Sequence, residues 1–223
     1  MYDINSLLLN LYNKFWQNYL SDVRDSCSEP AAFPFLIEAE RSYISASNRV
    51  MLCGQETQGW CNEYDTQTEP VSIEQVCKVY RDFVWNNGYN SPYWGFIKAL
   101  KENLPEAGYV INNIVKIGRR YDPGCNDDIN EKARTHFPVN REEFRILNPN
   151  KIVFLTGPNY DWRIQEVLGP FTKKRVNDKL KCLDILTFED PSLPQAIRCY
   201  HPAYLRRRSL TTSYLDEIIK FCK

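Results

Sequence analysis

Carboxylate, amide and imidazole side chains lie in or directly after predicted strands at three points of the sequence, at Gln55-Glu56, at Asn112-Asn113 and at His201. A carboxylate can stabilise developing positive charge and orient water, and a histidine can donate or accept a proton near neutral pH. An amide offers both a hydrogen-bond donor and an acceptor. Residues of these types at successive strand ends therefore indicate polar chemistry on a small group that forms hydrogen bonds.

Five apolar runs are the strand candidates, and helical patterns separate most of them. The runs cover residues 49–53, 109–117, 151–156, 180–186 and 195–200. Apolar residues at three- and four-residue steps predict helices over the first twenty residues and over 35–45, 72–86, 91–105, 141–147, 162–168 and 213–222. Strands separated by helices predict a parallel sheet with helices on both faces, where ligands bind beyond the carboxyl ends of the strands. The polar residues that follow these strands are therefore candidates for one site.

Composition and charge limit the classes of protein that fit. The chain has 223 residues, with 28 basic and 28 acidic side chains and a formal net charge of zero. This balance argues against histone-like proteins, whose affinity for nucleic acid comes from charge over the whole surface, although it leaves room for a local basic groove. No repeat or flexible linker divides the sequence. We therefore expect a single domain over residues 1–223, with the N-terminal helices of residues 1–48 packed on it.

The sequence carries no signature of export, membrane insertion or a common cofactor loop. Its start lacks a basic region, and no apolar run approaches the ~20 residues that cross a bilayer. The eight cysteines form no Cys-x-x-Cys pair of the zinc or redox kind. There is no glycine-rich phosphate loop and no Gly-x-Ser-x-Gly nucleophile turn. We therefore expect a cytoplasmic protein with reduced, mostly buried thiols and no association with membranes.

Three segments at predicted strand ends together resemble motifs of the uracil-DNA glycosylase superfamily. Segment 54–60 (GQETQGW) is similar to the family's Gly-Gln-Asp-Pro-Tyr-His motif, and segment 112–115 (NNIV) to its asparagine followed by an apolar pair. Segment 201–205 (HPAYL) is similar to its His-Pro-Ser-x-Leu motif. The motifs follow each other in the same order, and the resemblance covers residues 48–206.

The resemblance implies residue roles in breaking the N-glycosidic bond of a base in DNA. Glu56 would stabilise positive charge on the sugar and orient water, and His201 would donate to the carbonyl of the departing base. Asn113 and Gln55 would bind the base edge. Leu205 would be the apolar wedge that fills the gap left by a flipped base. The asparagine doublet leaves open which of its two members faces the base.

Basic residues near these segments are candidate phosphate contacts. They are Lys116, Arg119, Arg120, Arg206, Arg207 and Arg208. Each candidate also has a plainer structural interpretation. Glu56 can cap a helix, and His201 can bond to backbone. Leu205 can be a core residue, and the arginine triplet can be a solvated face.

Several positions depart from the family pattern. Glu56 replaces an aspartate, so the carboxylate is one methylene longer. Thr57 and Gln58 replace the Pro-Tyr pair, whose tyrosine excludes the thymine methyl group in the best-known branch. Ala203 replaces a serine that helps to hold a phosphate. These departures leave the base, and uracil specificity in particular, open.

The resemblance implies an α/β fold, namely a three-layer α/β/α sandwich around a central parallel four-stranded sheet. It implies a monomeric base-excision repair glycosylase that acts on uracil or another altered base in single- or double-stranded DNA. The mechanism would be monofunctional, because no lysine lies in the three segments to form a Schiff base. No metal or organic cofactor is implied. Two alternatives are a catalytically inactive nucleic-acid-binding protein on the same fold and a hydrolase of free nucleosides or RNA.

Overall fold

The structure is a computed structural model that describes residues 3–57, 59–64, 71–124 and 126–223. Gln58, one of the departures from the family pattern, and Cys125 lie outside these described residues. The chain falls into two compact units. The first comprises Met1–Glu38, Glu56–Trp85 and Asn113–Leu147, and the second comprises Ala39–Gln55, Asn86–Asn112 and Asn148–Lys223. No helix among the described residues has both the length and the apolar character needed to span a bilayer.

Helices and strands alternate along much of the chain, which gives an α/β protein. The helices are α1 (Ile4–Asn18), α2 (Arg41–Ser45), α3 (Ile73–Tyr80), α4 (Pro92–Asn103), α5 (Asp127–His136), α6 (Asn140–Leu147), α7 (Asp161–Leu168), α8 (Pro202–Arg207) and α9 (Thr211–Cys222). The strands are β1 (Arg49–Gly54), β2 (Gly108–Asn113), β3 (Lys151–Phe154), β4 (Phe171–Arg175), β5 (Asp184–Phe188) and β6 (Ala196–Arg198).

The helix starts that the sequence predicts from capping residues are confirmed. The Ser72 hydroxyl accepts the Gln75 backbone N–H at 3.3 Å, while the Gln75 side chain accepts the Ser72 N–H at 2.8 Å, which is a complete capping box before α3. Ser91 caps α4 by accepting the Trp94 N–H, with Pro92 as the first helical residue. Both starts depend only on neighbouring residues, so local sequence is sufficient to predict them.

The helix predicted over residues 35–45 is largely wrong, and one further helix, α5, was not predicted from the sequence. Residues 32–40 form neither helix nor strand, and only Arg41–Ser45 forms a short helix. The backbone N–H groups of Ala32 and Phe35 donate instead to the carbonyls of Gly118 and Lys116, so a distant segment takes the bonds that a helix would need. Helix α5 was not predicted, because a single buried side chain in it gives little apolar periodicity.

The sheet lies in the second unit and is mixed, with strand order β2-β1-β3-β6-β5-β4. Strand β3 pairs in parallel with β1 on one side and with β6 on the other. Strand β5 is antiparallel to both β6 and β4. The expected four-stranded parallel sheet is therefore corrected to a mixed sheet of six strands. The connection of residues 176–183 is shorter than the dozen or so residues that a parallel crossover needs, so β4 and β5 form a hairpin. Strand β4 escaped prediction because four of its five side chains are exposed.

The thiols agree with the sequence-based prediction. Seven cysteines among the described residues form no disulfide, and five of these are buried. The buried thiols include Cys53 in β1 and Cys199 directly after β6. Burial raises the pKa of Cys199 to about 12, so this thiol is protonated at neutral pH and packs as a small apolar group.

One buried charge joins three elements of the second unit. Arg198, the last residue of β6, is fully buried, and its Nε and Nη2 atoms donate to the two carboxylate oxygens of Asp161 at 3.0 and 3.2 Å. Its Nη2 atom also donates to Asp184 Oδ2 at 2.9 Å, and its Nη1 atom donates to the Cys182 carbonyl at 2.9 Å. This guanidinium therefore fixes the start of α7 and the start of β5 against β6.

Replacing Arg198 with methionine should lower the free energy of unfolding by about 3–5 kcal/mol, because Asp161 and Asp184 then lack their buried cation. Arg175→Met is the matched control. Arg175 pairs with the same Asp184, but its side chain is 41% exposed and solvent screens the pair, so we expect a clearly smaller loss. Urea unfolding measures both values, and equal losses for the two variants would contradict the structural role of Arg198.

Candidate functional site

The carboxyl ends of three strands are joined at one edge of the sheet. Gln55 follows β1, and its Nε2 atom donates to the Thr156 carbonyl beyond β3 at 2.7 Å. The Gly157 N–H donates to the Cys199 carbonyl beyond β6 at 2.8 Å. Gly157 has a φ of 77°, a conformation that favours glycine and lets the chain turn sharply after β3. These bonds fix the backbone from which Gln55 and the segment leading to His201 extend.

His201 has a defined tautomer. It is the N-cap residue of α8, and its Nδ1 atom accepts the Ala203 backbone N–H at 3.2 Å. Because Nδ1 acts as an acceptor, that hydrogen bond assigns the ring proton to Nε2. Burial and then the nearby charge of Arg207 lower the pKa of His201, so the imidazole is neutral at pH 7. The ring therefore caps the helix with one nitrogen and carries an N–H donor on the other.

Tyr93 supports this imidazole from helix α4. Its ring stacks on that of His201, with centroids 5.7 Å apart and planes 14° apart. The Tyr93 hydroxyl is buried, and it has no hydrogen-bond partner in the described part of the chain. Burial raises the pKa of Tyr93, so the hydroxyl keeps its proton. Sequence reasoning missed this residue, because a tyrosine in the first turn of a helix gives no signal that separates it from a core aromatic residue.

The segment that follows Glu56 is held by a loop of the first unit. A Cβ atom at Gly118 would lie 2.1 Å from the Thr57 carbonyl oxygen, so only glycine permits this close approach. The Gly59 N–H donates to the Arg119 carbonyl at 3.2 Å in the same region. Glu56 itself is half-buried, and of the described residues that follow it, Thr57 and residues 59–61 are not helical, so the structure gives no support to a helix-capping role.

The asparagine doublet at the end of β2 is buried. The Asn112 Nδ2 atom lies 3.9 Å from Met51 Sδ in β1, and alternation along a strand places Asn113 on the opposite side. Asn113 and Glu56 belong to the first unit, whereas Gln55 and His201 belong to the second. The convergence of these four side chains on one base stays a prediction.

Two residues predicted to contact nucleic acid, Leu205 and Lys116, are buried, so these two predictions are corrected. Leu205 on α8 is 0% exposed, so its side chain lies in the core and not at the surface where a wedge would enter DNA. Lys116 is also buried, with its Nζ atom 2.9 Å from Glu143 Oε2 and 5.4 Å from the Phe35 ring centroid. Its charge is satisfied inside the first unit, where the Tyr12 hydroxyl donates to Glu143 Oε1 at 2.8 Å.

The remaining basic candidates are at least partly exposed. Arg119 is half-buried and forms an ion pair with Glu29, in which Nε and Oε2 are 2.9 Å apart. Arg206, Arg207 and Arg208 are all exposed on and directly after α8. The Arg208 guanidinium lies 5.7 Å from the Tyr204 ring centroid. The arginine triplet therefore remains available for phosphate contacts, and its helix begins at His201.

No family model and no curated protein sequence matches this chain. The likeness to glycosylases therefore rests on the three motif segments.

We expect Lys116→Met to lower the free energy of unfolding by about 3–5 kcal/mol, because the fully buried Glu143 carboxylate would lose its cation. Adding Glu143→Gln should recover part of that loss, because a neutral amide costs less to bury than a carboxylate. Lys98→Met is the exposed control, paired with Glu102 on α4, and it should cost under about 1 kcal/mol. Chemical denaturation tests all three variants, and a mild effect of Lys116→Met would show that this lysine is not a core residue.

The lowered pKa of His201 also predicts a pH dependence of stability. Its ordinary pKa is 6.5, so below that pH the unfolded chain binds a proton that the folded imidazole takes up only at lower pH. The free energy of unfolding should therefore fall as the pH drops below 6.5, by at most about 1.4 kcal/mol per pH unit from this group.

His201→Asn keeps a side-chain acceptor for the helix cap but does not titrate. This variant should lose that part of the acid dependence, as measured by urea unfolding between about pH 5 and pH 8. A variant with the same pH profile as the wild type would contradict the neutral, capping imidazole.

Proposed function

We propose that this protein is a monofunctional DNA glycosylase that hydrolyses the N-glycosidic bond of uracil or another altered base. The observation that carries the proposal is the state of His201. This half-buried, neutral imidazole is fixed by its Nδ1 bond to the Ala203 N–H and by the stacked Tyr93 ring, with its donor on Nε2. Such a donor fits the carbonyl oxygen of a departing base.

The proposed reaction divides charge between two side chains. As the bond between the sugar and the base breaks, its electron pair leaves with the base, and the Nε2–H of His201 stabilises the resulting anion. Glu56 stabilises the positive charge that develops on the sugar and orients the attacking water. Water adds to the sugar carbon, and its released proton balances the negative charge of the base. Gln55 and Asn113 hydrogen-bond to the base edge.

Four neighbouring strands of the sheet carry the three motif segments, and this arrangement supports the proposal. Strands β2, β1, β3 and β6 are contiguous in the sheet, and the three motif segments lie at the ends of β1, β2 and β6. We propose that these strands form the centre of a three-layer α/β/α sandwich like that of uracil-DNA glycosylases. In this proposal β5 and β4 are an extension at one edge.

The burial of Leu205 favours a single-stranded substrate. A base in a duplex must be flipped, and the gap that it leaves needs a plug, whereas a base in a single strand needs none. The exposed triplet Arg206, Arg207 and Arg208 on and after α8 supplies charge for phosphates beside His201. The same burial of Leu205 favours the alternative in which the substrate is RNA or a free nucleoside.

Oligonucleotides that contain uracil, hypoxanthine or a mismatch, followed by alkaline cleavage of abasic sites, test the proposal. We expect the altered base to be released from single-stranded oligonucleotides. The rate of release should fall about 100- to 1000-fold in His201→Ala, because one hydrogen-bond donor to the leaving anion is lost. Glu56→Gln should also lower the rate, because the amide keeps the size of the side chain but loses the charge. Substrate affinity should change little in either variant.

His136→Ala is the matched control. His136 is the other histidine of the chain and lies in the first unit, with its Nδ1 atom 3.6 Å from Asp22 Oδ2. The His136→Ala variant should cleave at the wild-type rate, and a thermal unfolding curve should first show that every variant is folded at the assay temperature. Binding without strand scission by the wild type would favour the inactive nucleic-acid-binding alternative. Release of a base from free nucleosides or RNA alone would favour the alternative of a nucleoside or RNA hydrolase.

A further inference from the structure

Positive charge is concentrated in one short segment of a chain whose net charge is zero. Segment 171–181 (FTKKRVNDKLK) contains five basic side chains and one acidic side chain, which gives a net charge of 5 − 1 = +4. All six charged side chains are exposed. The segment includes β4, which is the edge strand of the sheet, and the turn that follows it.

The nearest carboxylates do not neutralise this segment. The Lys173 Nζ atom lies 3.1 Å from Asp161 Oδ2, and Arg175 pairs with Asp184. Both carboxylates already bind the buried guanidinium of Arg198, so three cations share two anions. Within the described residues, Lys174, Lys179 and Lys181 have no carboxylate partner at salt-bridge distance. The surface of this segment therefore keeps an excess of positive charge.

An exposed aromatic ring lies at the start of the neighbouring helix. Trp162, the second residue of α7, is 54% exposed, although a tryptophan side chain is usually buried. The guanidinium of Arg163 lies 3.8 Å from its ring centroid. Residues 169 and 170 alone connect α7 to β4, and the contact between Lys173 and Asp161 brings the strand to the first turn of the helix. Trp162 therefore lies in the helical turn that Lys173 of the basic strand contacts.

We propose that this surface binds single-stranded nucleic acid without sequence preference. We call it the β4 surface and define it by Trp162, Lys173, Arg175, Lys179 and Lys181; Lys174 lies on the opposite face of the strand. Exposed bases stack on the indole, and the basic side chains contact the phosphates along the strand. An acidic protein segment or an anionic bilayer would also neutralise the basic side chains. Neither of them explains an exposed indole with a guanidinium on one face, which offers its other face for stacking with a base. The inference rests on the second unit alone and does not use His201.

Charge reversal tests the phosphate contacts. In Lys179→Glu/Lys181→Glu, binding of a fluorescent oligothymidylate, measured by anisotropy, should weaken at least about tenfold. The slope of log Kd against log salt should fall by about 1.4, or about 0.7 for each lost phosphate contact on a single strand. The control Lys98→Glu/Lys220→Glu changes the net charge equally, at exposed lysines of α4 and α9. Its affinity should stay close to that of the wild type.

Substitution of the indole tests stacking. Trp162→Ser should weaken binding roughly 5- to 150-fold, whereas Trp162→Phe, which keeps an aromatic face, should retain most of the affinity. Inorganic polyphosphate of equal charge carries phosphates without bases, so it should bind more weakly than the oligothymidylate. Its affinity should be the same in Trp162→Ser and in the wild type. All variants should melt at the wild-type temperature, because the substituted side chains are exposed.

Each outcome decides the inference. Equal losses in the two charge-reversal pairs would overturn it, because binding would then follow net charge alone. An unchanged affinity in Trp162→Ser, or equally tight binding of polyglutamate or phosphatidylserine vesicles, would also overturn it in favour of a general anion-binding surface. The inference is separable from the proposed function, since His201→Ala should bind the oligothymidylate as the wild type does. A protein that binds through the β4 surface but releases no base would refute only the glycosylase proposal.

Discussion

The buried guanidinium of Arg198 is the interaction on which the second unit depends. It contacts carboxylates at the starts of α7 and β5 from its own place in β6, and an unpaired charge at that depth would cost several kcal/mol. The three elements must therefore keep their relative positions. His201 follows Arg198 by three residues, so the same network fixes the segment that carries the imidazole. The network also occupies the carboxylates next to β4, which leaves that edge positively charged.

His201 shows how a structural role and a chemical role can share one side chain. Its Nδ1 atom satisfies a backbone donor at the start of α8, and this bond determines that Nε2 carries the proton. Burial keeps the ring neutral, and Tyr93 restricts its tilt by stacking. The helix cap and the proposed donor are therefore parts of one arrangement, and the local fold sets the protonation state on which the chemistry depends.

Predictions from local signals and predictions from long-range packing had different outcomes. The capping box at Ser72 and the N-cap at Ser91 were confirmed, because each depends on residues three positions apart. The helix expected over residues 35–45 was wrong, because Phe35 donates its backbone N–H to Lys116, which is remote in sequence. Strand β4 was missed for a related reason, since an edge strand with exposed basic side chains lacks the apolar alternation that identifies buried strands.

The sequence by itself determined the α/β class, the positions of β1, β3 and β6, and the polar residues that follow strands, because apolar runs and capping residues are local patterns. Tertiary structure alone decided which cations are free for a partner. Lys116 and Lys174 carry the same charge, yet Glu143 neutralises the first in the core and an edge strand exposes the second. The stacking of Tyr93 on His201 was likewise decided by packing, because these rings are more than a hundred positions apart and only the fold brings them together.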